Sequence, residues 1–227
     1  MNELLAQLNN FSLNVLLLLA IILIKILLNR LIHTEPLRFF SWYNHLLAKK
    51  VNKPQNSAQQ QSIAGVVACL ITLLPIIIIL WLFADFIALP WMWHGLLLYL
   101  ALGNFRLSNT IADINQALLA KQTHLAKQTL KPWVLRDVDN LSSMGIAKAS
   151  IEMQLLRYLQ HYFMIAFYFL SAGSLMALTI RLIIEMHYCW NPKQPNFQYF
   201  GRFINRLSAT IQWLPSRLFT VLMMISL

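Results

Sequence analysis

The chain alternates long apolar runs with polar, mostly basic stretches, and the run lengths limit what each can form. A hydrocarbon layer of roughly 30 Å takes about 20 apolar residues of helix, because lipid offers unpaired backbone groups no partner. Leu13 to Ile32 is the first such run; it is too long for a cleavable leader and no small-residue cleavage site follows it. Ile63 to Leu89 is the clearest, uncharged before Asp85, with Pro75 as a tolerated kink. Pro90 and the Trp91/Trp93 pair predict a short interfacial turn, and Trp91 to Asn109 runs back as a third span. Tyr158 to Ile184 is a fourth and Ile211 to Leu227, with Pro215 and Arg217, a marginal fifth.

Charge orients these spans. Between the first two, Arg30, Arg38, Lys49, Lys50 and Lys53 face only Glu35, so that loop is expected in the cytoplasm. The turn after the second span carries Asp85 and no cation, as an outer turn should. Arg106, Lys121, Lys127, Lys131, Arg136, Lys148 and Arg157 put residues 106–157 inside again. This leaves the N-terminus and residues 186–210 outside, against the cations Lys193, Arg202 and Arg206. Residues 52–62 read as a flexible polar linker.

The third span is expected to continue beyond the membrane, since Ile111, Ile114, Leu118 and Leu125 fall near a 3.6-residue period. Pro132 ends that helix, and a second starts near Ser143 as N-cap and runs through Glu152 into the fourth span. Residues 110–157 thus form a cytoplasmic amphipathic helix-loop-helix. The fold expected is all-α, a polytopic helical membrane protein with four or five transmembrane helices in one domain, residues 1–227.

Composition agrees. A mean hydropathy of +0.57 and 11% charged residues lie outside soluble globular ranges. The net charge of +10 reads as membrane orientation, with no nucleic acid among the expected partners. Cys69 and Cys189 are too far apart in sequence for a metal-binding pair motif. Walker glycine loops, GxSxG elbows and HExxH helices do not occur. On a continuous fourth helix, His161 and His187 would lie about 39 Å apart at about 1.5 Å per residue and share no metal. Arg181 and Glu185, four apart, are expected to pair at its outer end. His33 and His45 read as interfacial, as do Trp91, Trp93, Tyr158 and Tyr162.

The stretch "LRDVDNLSSMGIAKASIE" resembles the Arg-Asp segment and following "A-x-I-E" helix of the CobD/CbiB family, polytopic proteins of cobalamin biosynthesis to which AmpE regulators are similar. The resemblance continues through Phe167-Tyr168, Gly173, Arg181, Phe200-Gly201, Arg206-Leu207 and "WLPSRL" at 213–218. It covers roughly the last hundred residues. Nearer the N-terminus the match is loose, with Glu35-Pro36-Leu37 where the family has His-Pro-Val.

That resemblance implies a bacterial inner-membrane protein, multi-pass, that joins an aminopropanol phosphate to adenosylcobyric acid in an ATP-dependent amide synthesis. ATP and Mg²⁺ are then the cofactors, and a corrinoid the substrate. It implies Arg136, Asp137 and Glu152 as catalytic residues, Asp137 and Glu152 as metal ligands, and Arg217, Arg206 and Lys148 as substrate-binding residues. The family's helix carries Glu, then Glu-Asn, then Asp at positions matching 152, 156 with 157, and 160, where this chain has Glu152, Leu156, Arg157 and Gln160. Its Asn-Thr-Leu-Asp run falls on Ile184 to His187 and its Asp-Asp pair on Ser208 and Ala209. The departures favour either an altered synthase or an AmpE-like, non-catalytic membrane regulator with a cytoplasmic or membrane partner protein. A small transporter using Arg181 is the weakest alternative. On the bland alternative, Arg136–Asp137 is a loop ion pair, Glu152 a surface acid near Lys148, and Arg217 a snorkelling anchor.

Overall fold

A computed structural model describes residues 2–28, 37–103, 107–134 and 137–226, with side chains for 11–28, 37–103, 110–134 and 137–225. These residues are almost wholly helical, and among them are no strands. Three helices are long and apolar enough to cross a membrane: Phe11–Leu28, Ala58–Ala84 and Ser143–Cys189. The all-α membrane architecture read from the sequence is therefore observed. Helix α9, Arg202–Ser226, containing the expected fifth span, is not among the three.

The first helix, α1 (Asn2–Leu28), runs beside α4 (Pro90–Ala101), where Gly95 admits the side chains of Ile21 and Leu17. Buried Lys25 closes that contact by donating to the carbonyl oxygens of Tyr99, at 2.7 Å, and Leu102, so a cation sits on the negative end of α4. Helix α3 (Ala58–Ala84) is started by a reciprocal cap in which Ser57 Oγ accepts from Gln60 N and Gln60 Oε1 accepts from Ser57 N. It carries Pro75 within its length and ends before Asp85, as the apolar run requires.

The basic segment after α1, read as a loop, holds an amphipathic helix, α2 (Arg38–Val51), over its described part. Phe40, Asn44 and Ala48 are its buried stripe. That stripe lies along the end of α8, where Trp190 Nε1 donates to the Asn44 carbonyl at 3.0 Å. The third expected span is also shorter than the hydropathy run: α4 has 12 residues, about 18 Å of helix. The continuation is α5 (Leu107–Leu119), and Lys121 at φ 58 separates it from α6 (Thr123–Leu130). Ile111, Ile114, Leu118 and Leu125 thus belong to two helices. A short 3₁₀ turn at Lys131–Trp133 follows, as Pro132 predicts, and then α7 (Ser143–Tyr158). Its N-cap is Ser142, one residue before the expected Ser143; Ser142 Oγ accepts from Gly145 N at 3.2 Å. Ile114, Ala117, Ala126, Leu130, Val138, Ile146, Ala149 and Met153 give this helical unit its own small core.

The largest departure lies in the fourth span. A single π-helical turn, Leu159–Phe163, leads into α8 (Met164–Cys189), and α8 is broken at Gly173, with φ 85 and ψ 179. Only glycine holds that backbone comfortably. Residues far apart on a continuous helix then meet: Tyr188 bonds Gln160 and Arg181 bonds His161. The chain turns back at Gly173, so the run forms a hairpin whose arms are each roughly 22–24 Å long. The second arm is the buried centre of the molecule, with Ile180 to Met186 all inside.

This reversal corrects the arrangement of the ends. Gly173 and Ser174 lie beside the start of α4, where His94 Nδ1 is 2.7 Å from Ser174 Oγ. Residues 188–194 return to the end that holds Trp133 and α7, and Asn52 Nδ2 bonds the Asn196 carbonyl at 2.6 Å. Lys193 therefore shares an end with Arg157, rather than lying across the membrane from it.

Candidate functional site

At the polar end of the hairpin a cleft of about 420 Å³ opens between the 3₁₀ turn, α7 and the segment after α8. Trp133 and Val134 form one wall, Glu152, Met153, Leu156 and Arg157 the second, and Tyr188, Lys193 and Gln194 the third. Four residues apart along one face, Glu152 and Leu156 share the wall because a helix repeats every 3.6 residues. Arg157 lies with its guanidinium carbon 4.2 Å from the Tyr188 ring centroid and 5.3 Å from that of Trp133. One side chain thus joins α7, the returning arm and the turn before α7 through its planar charge.

The π-helical turn continues the site inward. It adds a residue to the helical turn, a feature found often where function needs side chains re-aimed. Here it turns Gln160 and His161 into the hairpin, both buried. Tyr188 Oη donates to Gln160 Oε1, Gln160 Nε2 to Gln212 Oε1 at 2.8 Å, and Gln212 Nε2 to Ser208 Oγ at 2.5 Å. On the other side His161 meets Arg181 through Nδ1, while Arg157 Nη1 lies 3.4 Å from its Nε2. The amide N–H of Gly103 donates to the His161 carbonyl at 3.2 Å. Arg181 pairs with Glu185 at 2.6 Å, and Ser41 of α2 donates to the same carboxylate at 3.2 Å. The expected pairing of Arg181 with Glu185 is observed, but at the cleft end. The rings of His161 and His187 also flank Tyr188, at 6.0 and 6.1 Å, so the large separation predicted for a straight helix does not hold.

The residues singled out in the sequence fare unevenly. Glu152 lines the cleft. Arg136 lies outside the described residues. Asp137 is exposed and engaged in its own loop, accepting from Asp139 N at 2.9 Å and from Asn140 Nδ2 at 3.4 Å. Lys148 and Arg206 are exposed and do not line the cleft. Arg217 stacks over Trp213 at 4.4 Å on the exposed face of α9. The sequence does not mark Trp133, Tyr188, Lys193 and Gln212 as site residues, because nothing local in it shows that the chain turns back on itself. The three cations of residues 193–206, on a segment assigned to the outside, were the available signal.

Three positions at which the family resemblance expects acids come together. Leu156 is in the cleft wall, and Gln160 and Ser208 are linked through Gln212. Among the described residues, no group of three or more His, Cys, Asp or Glu side chains is placed to hold a metal ion. Among the described lining residues Glu152 alone supplies a carboxylate, and that donor set does not fit a Mg²⁺ ion carrying nucleotide phosphates, which takes carboxylate anchors.

Residues 17–227 match the family model described as CobD/Cbib protein. The chain belongs to the CobD/CbiB family. Two curated members of similar sequence are each named cobalamin biosynthesis protein CobD. That of Stutzerimonas stutzeri is 29% identical over 157 residues, covering 69% of this chain and 52% of the relative. That of Chromobacterium violaceum is 29% identical over 154 residues, covering 68% and 49%. The chain spans about half the length of these CobD relatives. No solved structure matches it.

Proposed function

We propose that this chain is a multi-pass protein of the bacterial inner membrane that binds a corrinoid-pathway ligand at the cytoplasmic cleft without carrying out ATP-dependent amide ligation. Family membership and the names of the two relatives support the pathway. One observation carries the loss of ligation: where the family resemblance expects acids, the hairpin gathers Leu156, Gln160 and Ser208 at its polar end, leaving Glu152 as the carboxylate of the cleft wall among the described residues. Charge on an activated phosphate needs a metal held by carboxylates, and hydroxyl, amide and guanidinium groups do not replace them. The same side chains suit binding, since Arg157, Lys193, Tyr188 and Trp133 offer cations and flat rings to an anionic, ring-bearing ligand.

The test is complementation. A strain lacking its own adenosylcobinamide-phosphate synthase receives this gene and cobyric acid. The proposal expects no growth despite confirmed membrane insertion, together with saturable quenching of the purified protein's tryptophan fluorescence by adenosylcobyric acid. Growth would overturn the loss of ligation, and absence of quenching would overturn the ligand. An AmpE-like regulator shares the first outcome and differs in the second.

A further inference from the structure

Helix α2 presents two outward stripes that no described part of the protein covers. Phe39, Trp42, Tyr43 and Leu46 stand at i, i+3, i+4 and i+7 and are all exposed, Phe39 at 73% and Trp42 at 55%. Phe39 and Trp42 lean on each other, ring centroids 5.4 Å apart. Beside them Arg38, His45 and Lys49, at i, i+7 and i+11, make a basic stripe, with Lys50 at the last turn, in line with the aromatic stripe, and Lys53 past the helix end; these four Lys and Arg side chains are exposed. No acidic residue occurs from Arg38 up to Asp85. Among the described residues, no carboxylate pairs with Arg38, Lys49, Lys50 or Lys53.

Position limits what covers these stripes. The third face of α2, Phe40, Asn44 and Ala48, packs on the polar end of the hairpin, and the helix leads directly into membrane-length α3. It therefore lies where the apolar outer surface of the bundle gives way to polar segments. A helix there with tryptophan, tyrosine and phenylalanine on one stripe and lysine and arginine on the next matches the acyl and headgroup layers in turn. A protein partner of the usual kind would leave a row of unpaired cations around an aromatic patch. An anionic leaflet satisfies both stripes at once.

We propose that α2 lies in the plane of the membrane surface, burying Phe39, Trp42, Tyr43 and Leu46 among acyl chains and binding anionic lipid headgroups with Arg38, Lys49 and Lys50. The occupant is the leaflet itself. Binding of this kind fixes α2, and with it Ser41, whose hydroxyl holds Glu185 beside Arg181.

The experiment uses the full chain in vesicles of equimolar phosphatidylcholine and phosphatidylglycerol, with bromine on the acyl chains of one lipid or the other. The Trp42 signal is the difference between the native protein and Trp42→Phe. Quenching from both lipids is expected, at least about twofold stronger when phosphatidylglycerol carries the bromine, given the attraction of each surface cation. The triple variant R38Q/K49Q/K50Q is expected to keep the quenching and lose the preference. Equal quenching by the two lipids in the native protein would overturn the headgroup assignment. Persistence of the preference in the triple variant would overturn the role of those cations. Absence of quenching by either lipid would place the stripe in water or under protein and overturn the proposal entirely. Circular dichroism of each variant at native helicity shows that the comparison is made on folded protein.

Discussion

Tyr188 donates its phenolic proton to the side-chain oxygen of Gln160, 28 positions earlier in the chain. On one continuous helix those residues would lie about 42 Å apart. The bond exists because the chain reverses at Gly173, and the reversal is what makes a site at all. It brings the wall that carries Glu152 and Arg157 against the segment that carries Tyr188 and Lys193. It also places Arg181, already paired with Glu185 along its own arm, where His161 of the other arm can receive it.

The turn itself is testable. A Cβ at position 173 would meet nothing within 4 Å, so space does not require the glycine; its φ of 85 does. Gly173→Ala is expected to lower stability by about 1–3 kcal/mol through backbone strain alone. Unfolding in a mixed-micelle titration measures it. Native stability in the alanine variant would mean that the turn is not built as described.

The buried ion pair gives a second test. The side chains of Arg181 and Glu185 are 4% and 11% exposed, little enough that solvent does not screen them. Glu185→Gln leaves the guanidinium buried without its counter-charge and is expected to cost about 3–5 kcal/mol, while the double variant Arg181→Met/Glu185→Leu should regain most of that loss. The same unfolding titration applied to both proteins decides it. A single variant as stable as the native chain would show that the buried guanidinium does not depend on this carboxylate.

Much of this architecture is legible in the sequence, and the reasons for the remainder are specific. Hydropathy finds α1 and α3 because an uninterrupted apolar run has few alternatives in lipid. Pro132 marks the end of the first amphipathic element, and the Ser142–Ser143 pair marks the start of α7 to within one residue. Gly173 escapes because hydropathy sums side-chain transfer and ignores φ, so a hairpin of two apolar arms reads like a single long span. Helix α2 escapes because its cations invite a loop reading, although Phe39, Trp42, Tyr43 and Leu46 already repeat at helical spacing. In the site, Glu152 is recognisable from its family motif. Trp133 and Tyr188 are not, since their roles arise from a tertiary meeting around Arg157. Asp137 is placed in its own loop instead of the cleft lining, because a short acid in a turn is drawn to the neighbouring backbone N–H.

The central claim is that residues on the two sides of the hairpin lie at one face of the membrane. Single cysteines at Lys148, Lys193 and Asp85, in a chain whose Cys69 and Cys189 are replaced by alanine, report it through a membrane-impermeant maleimide applied to intact and to opened cells. All three positions are exposed. The account predicts that positions 148 and 193 react from the same side and position 85 from the other. Reaction of position 193 together with position 85 would restore the uninterrupted fourth span and contradict the hairpin.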